Sequence, residues 1–253
     1  MKILFRPKGN PVLVVGLLIF WCLVGGLPSA HAQDDSTKVF IAPFGGITAP
    51  VNAFGSDFPG SANGRADMGY HAGLRLEIRP RKYFGVVFQA SQAHLPMNEE
   101  AILRDWQLLD PTREYFFEGK RWRNITVQGG IQVSVPFDRL DWDMRVLVGP
   151  MITRRPDYSV YASDPTGSIR VSEWAKSTMS FAVGIGTGWT YQVSDRVGLT
   201  GGIDYAFTTS DATFDDVIRQ TFNDGILTST DQPRNVSLSL RQVNLSMGLR
   251  LKL

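Results

Sequence analysis

Charged and amide side chains recur at every second position within otherwise apolar stretches, and these residues are the ones best placed to do chemistry. Arginines and carboxylates that share one polar face form ion pairs, which in a narrow space either block that space or gate it to small ions. The set is Arg75, Glu77, Asp143, Arg145, Asp204, Arg250, Gln89, Gln128 and Gln132. Because a buried charge is costly unless it is paired, we expect these groups to neutralise one another. A plugged polar interior is the main expectation, and an ion gate is the alternative.

Patterns for catalysis and for cofactors are weak. His71 and His94 are the only histidines beyond the N-terminal segment. His71 is followed two positions later by Gly73 rather than a serine, and His94 is followed by Leu95-Pro96, so neither forms a convincing catalytic constellation. Two distant histidines and scattered carboxylates predict no metal site and no cofactor. The glycine-rich segment 184–188 lacks the spacing and the helix of a nucleotide-binding loop. On a strand, its glycines leave room for bulky side chains opposite, such as arginines. We expect no enzymatic activity.

The N-terminal segment has the features of a secretory signal peptide. Lys2, Arg6 and Lys8 precede an uncharged apolar run at 12–24, and Ala30-His31-Ala32 has the form of a cleavage site. The run is short for a membrane span of about 20 residues. The expected division is a cleaved signal peptide at 1–32, a short N-terminal segment at 33–37 and one folded domain at 38–253.

Composition narrows the function classes. The 253 residues include 26 Lys and Arg and 24 Asp and Glu, and loss of the signal peptide leaves a net charge of −1. Without a basic excess, a nucleic-acid partner is not expected. The single cysteine, Cys22, lies in the predicted signal peptide. The mature chain then has no thiol for disulfides, metal clusters or nucleophilic catalysis.

Eight stretches alternate apolar and polar residues with period two, which is typical of strands with one apolar face. They are 38–47, 70–79, 84–91, 125–135, 142–153, 181–193, 197–207 and 242–253. A tilted strand needs about 9–11 residues to cross a bilayer, whereas soluble strands have a mode near 5–6. The pattern predicts an all-β fold, an eight-stranded antiparallel up-and-down transmembrane β-barrel. The alternative is a soluble lipocalin-like barrel with Leu245, Met247 and Leu249 buried inside.

The connections alternate in length. Those after the second, fourth and sixth strands are short, and those at about 49–66, 94–121, 154–175 and 210–236 are long. Short periplasmic turns at one rim and long extracellular loops at the other are typical of outer-membrane barrels. Apolar spacing predicts a short amphipathic helix at 98–110 and a second at 215–224. The remainder of the last long connection, rich in Asp, Thr, Ser and Asn, is predicted to be a solvated, mobile loop.

Aromatic residues cluster near the predicted strand ends. Amphipathic rings favour the headgroup level of a membrane, and barrels carry two such girdles. The predicted girdle residues are Tyr83, Phe84, Trp142, Trp189, Tyr191, Tyr70, Trp122 and Phe207.

With these features together, the sequence resembles the small eight-stranded outer-membrane barrels of the OmpA/OmpX type, the porin-family outer-membrane β-barrel domain. The resemblance spans 38–253 and rests on pattern, with no diagnostic motif. It implies outer-membrane lipid and lipopolysaccharide as surroundings and barrel-insertion machinery that engages the C-terminal strand. Many such barrels end in an aromatic residue, whereas this chain ends in Leu253.

The predicted function follows from this combination. We expect a non-enzymatic protein of the cell outer membrane with a plugged lumen, which supports envelope integrity or surface interaction through its loops. A narrow channel or carrier for a small solute or hydrophobic ligand is the alternative, and a lipid-modifying enzyme is third. The loop sequences do not indicate which extracellular partner would bind.

Overall fold

The computed structural model describes residues 37–56, 64–164, 167–174 and 176–253, without the side chains of Asp164 and Asp216. The predicted signal peptide and residues 33–36 lie outside the described residues.

Within these ranges the chain forms fourteen strands, numbered along the sequence, and one α-helix. The strands are β1 (Lys38–Pro50), β2 (Gly69–Arg79), β3 (Phe84–Leu95), β4 (Glu114–Gly119), β5 (Trp122–Phe137), β6 (Leu140–Arg154), β7 (Tyr158–Asp164), β8 (Gly167–Trp174), β9 (Ser177–Gln192), β10 (Val197–Thr208), β11 (Ala212–Asn223), β12 (Ile226–Thr230), β13 (Arg234–Leu238) and β14 (Arg241–Lys252). The helix is α1 (Glu99–Leu109), and a 3-10 turn spans Asn52–Phe54.

Eight of the strands close into a barrel in the order β1-β14-β10-β9-β6-β5-β3-β2. All neighbours are antiparallel, and β1 closes the ring because Gly45 lies opposite both Ala72 of β2 and Met247 of β14. Strands adjacent in the barrel follow one another along the chain, apart from the strands inserted at one rim. The predicted eight-stranded up-and-down barrel is confirmed. The strands mostly run further than predicted, as β5 does at both ends.

The barrel is apolar outside and polar inside. Exposed apolar residues surround its outer surface, among them Ile47, Leu74, Phe88, Val127, Ile131, Val133, Met144, Val146, Ile152, Ile185, Leu199 and Ile203. Soluble monomers rarely expose contiguous apolar patches larger than a few hundred Å², so this belt of apolar residues all around the barrel is atypical of a soluble surface. Leu245, Met247 and Leu249 also face outward. The lipocalin-like alternative is therefore wrong, and the exterior has the polarity of a membrane-spanning barrel.

The long connections fold into a second β-structure, called here the head, which comprises α1, β4, β7, β8, β11, β12 and β13. Its strands run in the order β12-β11-β8-β7-β4, and β13 pairs with the first part of β11. The last connection therefore forms three strands where the sequence predicted a short helix and a mobile loop. The head is a folded structure beside the barrel mouth.

The predicted helix at 215–224 is also wrong, since these residues belong mainly to β11. Val217, Ile218 and Thr221 are β-branched residues that favour strands. Register pairs Ile218 with Trp174 and Thr221 with Val171 of β8. The neighbouring edge of β8 supplies backbone partners that an isolated segment lacks, and pairing outweighs the helical spacing.

The predicted helix at 98–110 is confirmed as α1. The Asn98 side chain accepts a hydrogen bond from the Ala101 amide at 3.0 Å, which caps the first turn. Ile102 is buried in a cluster with Tyr115 and Val160, which fixes the helix on the head sheet. No helix in the described part of the chain is long and apolar enough to cross a membrane.

A charge on the belt tests whether lipid covers it. Ile185 lies near the middle of β9 and is 49% exposed, as is Leu227 of β12 in the head. Arginine at Ile185 should lower the free energy of unfolding by about 2–4 kcal/mol, the cost of a charge at the bilayer midplane. Leu227→Arg should change it by less than about 0.5 kcal/mol. Urea unfolding in lipid vesicles measures both, and equally small effects would contradict a membrane-spanning belt.

Candidate functional site

The barrel lumen holds two ion clusters. The first, the rim cluster, lies near the short-turn rim and comprises Glu77, Arg79, Asp141 and Arg250. Arg250 Nη2 donates to Asp141 Oδ2 at 2.5 Å, and Arg79 Nη1 donates to the same oxygen at 3.3 Å. Arg79 Nη2 also donates to Glu77 Oε2 at 3.1 Å. The Phe40 ring contacts both guanidiniums, with Arg250 Cζ 4.4 Å from its centroid. The aromatic ring thus stabilises both positive charges.

The second, the mid-barrel cluster, comprises Arg75, Asp143, Arg145 and Asp204. Arg145 donates to both oxygens of Asp204, from Nε and Nη2 at 2.9 Å each, which is a bidentate contact. Its Nη1 donates to Asp143 at 2.7 Å. Arg75 lies 3.9 Å from Asp204 and donates from Nε to Gln89 at 3.0 Å. Arg145 therefore has carboxylates on both sides of its guanidinium.

Charge is balanced across these two clusters. Together they contain four arginines and four carboxylates, and all eight residues are buried. A charge in a low-dielectric interior is tolerated when it is paired and hydrogen-bonded, and removal of one partner leaves a costly unpaired ion. The arrangement can therefore occupy the lumen without a net charge.

Glycines of β9 and β10 make room for this packing. Register places Gly186 between Arg145 of β6 and Asp204 of β10, so the arginine reaches the carboxylate across a residue with no side chain. A β-carbon at Gly186 would lie 1.9 Å from Asp204 Oδ1, and one at Gly188 would lie 2.9 Å from Arg145 Nη1. The interpretation of segment 184–188 as space for bulky side chains opposite is confirmed, since Gln128, Asp204 and Arg145 lie next to its three glycines.

Amide side chains lie beside the ions and continue toward the mouth. Gln132 of β5, opposite Arg145 in register, donates to the Ser134 hydroxyl at 3.0 Å, and Gln128, nearer the mouth, donates to the Ala182 carbonyl at 3.4 Å. Further toward the mouth, Asn124 donates to Gln242 at 3.0 Å. The interior changes from charged to neutral polar along the barrel axis.

The structure brings the nine predicted lumen residues inside the barrel but divides them. Glu77 and Arg250 belong to the rim cluster, whereas Arg75, Asp143, Arg145 and Asp204 belong to the mid-barrel cluster. Gln89 pairs with Arg75, Gln132 pairs with Ser134 of its own strand, and Gln128 pairs with the Ala182 carbonyl of β9.

Sequence reasoning missed Arg79 and Asp141. Arg79 ends β2 in the polar phase, and Asp141 appeared to belong to a turn but lies in β6. Their parity was the available signal, since both occupy inward positions of their strands. Their pairing depends on strand stagger, which alternation does not specify.

Three aromatic rings pack together at the long-loop mouth of the barrel. Phe54 and Phe214 contact Trp122 edge-on, at centroid distances of 5.3 and 5.8 Å. Trp122 Nε1 donates to the Gly64 carbonyl at 3.0 Å. These three rings, the mouth cluster, belong to a buried core that joins barrel residues such as Leu95 to β11 and β13 of the head.

Trp122 is therefore not a girdle residue, and that prediction is wrong. It is 1% exposed and points inward, in phase with Asn124 and Gln128 of the same strand. The position of Trp122 near a strand end suggested a girdle residue, but the two-residue alternation of β5 directs its side chain into the barrel.

The other predicted girdle residues point outward. Those with exposed rings are Tyr70, Tyr83, Phe84, Trp142, Trp189 and Tyr191. Phe207 is half-buried against Tyr205, with ring centroids 5.6 Å apart. Their contact with a headgroup layer remains a prediction.

The two histidines do not form a joint site. His71 is buried beside Phe44 in the lumen, whereas His94 stacks on the outward ring of Tyr70 at 5.2 Å. They lie on opposite faces of the barrel wall.

The glycine row gives a direct stability test. Gly186→Ala should lower the free energy of unfolding by about 1–3 kcal/mol, because its β-carbon overlaps the Asp204 carboxylate. Gly45→Ala is the matched control, since its β-carbon would meet only the His71 carbonyl oxygen at 3.6 Å. The measurement is the temperature at which the compact gel band converts to the unfolded band. Equal temperatures for the two variants would refute the packing argument.

Comparison with known proteins gives structural matches only. No protein-family model and no curated protein matches the sequence. Among solved structures, Neisserial surface protein A matches at 11% identity over 85% of this chain and 97% of its own, with a TM-score of 0.43. A major outer membrane protein from Thermus thermophilus matches at 11% over 86% and 100%, with a TM-score of 0.48. The outer membrane protease OmpT from Escherichia coli matches at 7% over 89% and 99%, with a TM-score of 0.42. These values are too low to support a conclusion about activity, and the barrel assignment rests on the strand pairing itself.

Proposed function

We propose that this chain is a non-conducting, non-enzymatic β-barrel of the outer membrane that holds a folded interaction head at the cell surface. The observation that carries the proposal is the set of buried side chains inside the barrel. Two charge-balanced clusters occupy the lower half of the lumen, and the mouth cluster of Phe54, Trp122 and Phe214 lies at the opposite end. An eight-stranded barrel is wide enough only for side chains or one small ligand.

The proposed location rests on two independent features. The apolar belt needs lipid, and the predicted signal peptide supplies export. Outer-membrane lipid and lipopolysaccharide would surround the belt. The C-terminal strand β14, which pairs with both β1 and β10, is the element that insertion machinery would engage.

The head is the proposed interaction surface. It shares one buried core with the barrel mouth, so it is held on the barrel by packing as well as by its chain connections. Exposed apolar residues such as Phe116 and Ile226 lie on this structure. A folded surface of this kind is suited to recognition, which fits support of envelope integrity or contact with external molecules.

Planar-bilayer recording tests the closed lumen. The unmodified protein should give no conductance steps above background, because ion pairs and aromatic rings fill the path. Glu77→Ala should also give none, since the mouth cluster stays in place. Glu118→Ala in the head is the matched control, and a heat-modifiability gel verifies that each variant is folded.

Conductance steps in the unmodified protein that change in Glu77→Ala but not in Glu118→Ala would contradict the plugged lumen and support the ion-gate alternative.

Cysteine labelling tests the proposed orientation. The mature chain has no cysteine after loss of Cys22, so single cysteines can be introduced without background. Ser229 is exposed in the head, and Asp195 is exposed at the short-turn rim. The two variants are Ser229→Cys and Asp195→Cys. A membrane-impermeant maleimide added to whole cells should label the first and spare the second. After cell lysis both should react, and the reverse pattern on whole cells would invert the proposed orientation.

A further inference from the structure

A cavity of about 510 Å³ lies in the head, between α1 and the sheet. Its helix side is mainly apolar, lined by Ile102, Trp106, Leu108 and Leu109, and Asp105 is the acidic exception. Arginines line another part of its wall. The volume falls within the range of about 300–1,000 Å³ that is typical of small-ligand sites.

Strand register assembles the charged side of this cavity. Across three neighbouring strands, Arg219 of β11 pairs with Glu173 of β8, and Glu173 pairs with Tyr158 of β7. Residues directly opposite in a sheet share a face. Arg155, between β6 and β7, and Arg234 of β13 reach the same carboxylate.

Glu173 is the centre of this head cluster. Its side chain is 3% exposed, and its Oε1 lies 2.5 Å from Arg155 Nη2. Its Oε2 accepts from the Tyr158 hydroxyl at 3.2 Å and lies 3.3 Å from Arg234 and 3.7 Å from Arg219. Burial, and then the Glu173 charge, raise the pKa of Tyr158, so the phenol stays neutral and acts as a donor.

The head cluster has more positive than negative charge. Three guanidiniums meet one carboxylate, which leaves two positive charges unmatched among the cluster's described side chains. Arg65 does not alter this sum, because it pairs with Asp105 at the same cavity. Like charges held this close repel one another unless an anion joins them.

Unused donors indicate where such an anion would bind. Arg155 Nη1 and Arg219 Nε are buried and have no acceptor among the described residues. A buried donor without a partner costs free energy that an acceptor would recover. The Arg219 and Arg234 side chains are 37% and 44% exposed, so their remaining N–H groups are accessible. Arginine is well suited to bind phosphate and carboxylate oxygens through paired donors.

We propose that this cavity binds a small amphiphile with a doubly charged head, of which a phosphate monoester is the simplest. The head would pair with Arg155, Arg219 and Arg234, and the apolar part would lie against Ile102 and Trp106. A phosphate monoester carries about −1.5 to −2 charges at neutral pH, which matches the two unmatched positive charges. The phosphate could belong to a free monoester or to a lipid headgroup. The proposal extends the interaction head of the proposed function by naming its ligand class.

Calorimetric titration of the full-length protein in a nonionic detergent tests the proposal. The probes are 1-naphthyl phosphate and dihexanoyl phosphatidic acid, with 1-naphthol as the uncharged comparison. Both phosphates should bind saturably, and naphthol should bind at least tenfold more weakly, because charge-assisted hydrogen bonds are lost. Tighter binding of naphthyl phosphate indicates a free monoester, and tighter binding of phosphatidic acid indicates a lipid headgroup.

Three variants and one control locate the binding. Arg219→Gln and Arg234→Gln should each weaken naphthyl phosphate binding about tenfold or more. Glu173→Gln removes the competing carboxylate and should bind at least as tightly as the unmodified chain. Arg170→Gln is the matched control, because Arg170 lies on the same strand as Glu173 with its side chain on the opposite face, over the Tyr161 ring.

The proposal is overturned if neither phosphate binds up to about 5 mM. It is also overturned if Arg219→Gln and Arg234→Gln bind as the unmodified chain does, or if Arg170→Gln loses as much. Near-ultraviolet circular dichroism verifies the head fold, and Glu173→Gln decides the case if an arginine variant unfolds. Binding of the phosphate probes, measured in detergent, depends on neither the conductance of the barrel nor its orientation in the membrane. Failure here therefore leaves the proposed function standing, and failed labelling leaves the cavity standing.

Discussion

An ionised side chain inside an eight-stranded barrel has little water to solvate it, and the rest of the interior is arranged around this constraint. Each lumen arginine lies against a carboxylate, and the bidentate contact of Arg145 with Asp204 is the most complete of these pairs. That contact crosses β9 at Gly186, where a β-carbon would overlap the carboxylate. Charge pairing, glycine placement and strand register are therefore one condition, because a slip of one residue would turn the ions toward the apolar exterior.

Different kinds of side chain lie at the two ends of the lumen. Ion pairs and the Phe40 ring fill the short-turn end, whereas Phe54, Trp122 and Phe214 fill the mouth. Apolar packing at the mouth has a consequence for the head. Because Phe214 belongs to β11, the buried core at the barrel mouth also includes the head sheet. The head therefore has a fixed base on the barrel.

Alternation in the sequence was sufficient to predict the barrel, its strand number and the inward position of all nine lumen residues. It did not predict which ions meet, because Arg79 and Asp141 pair through a stagger that a two-residue period leaves undetermined. Trp122 shows the opposite error, since its phase indicated the inside while its place near a strand end suggested the girdle. The head was missed because β11 depends on its pairing with β8, which only the folded chain supplies.

The lumen and the head contain the same charged residue types in different proportions. In the lumen, four arginines meet four carboxylates, and such balance is what a closed structural core requires. In the head, three arginines converge on Glu173 beside an open cavity. If that cluster served packing alone, a second carboxylate or an apolar residue would be the less costly neighbour. Retention of unmatched guanidiniums next to an apolar wall is instead the arrangement by which a site selects an anion with an apolar body.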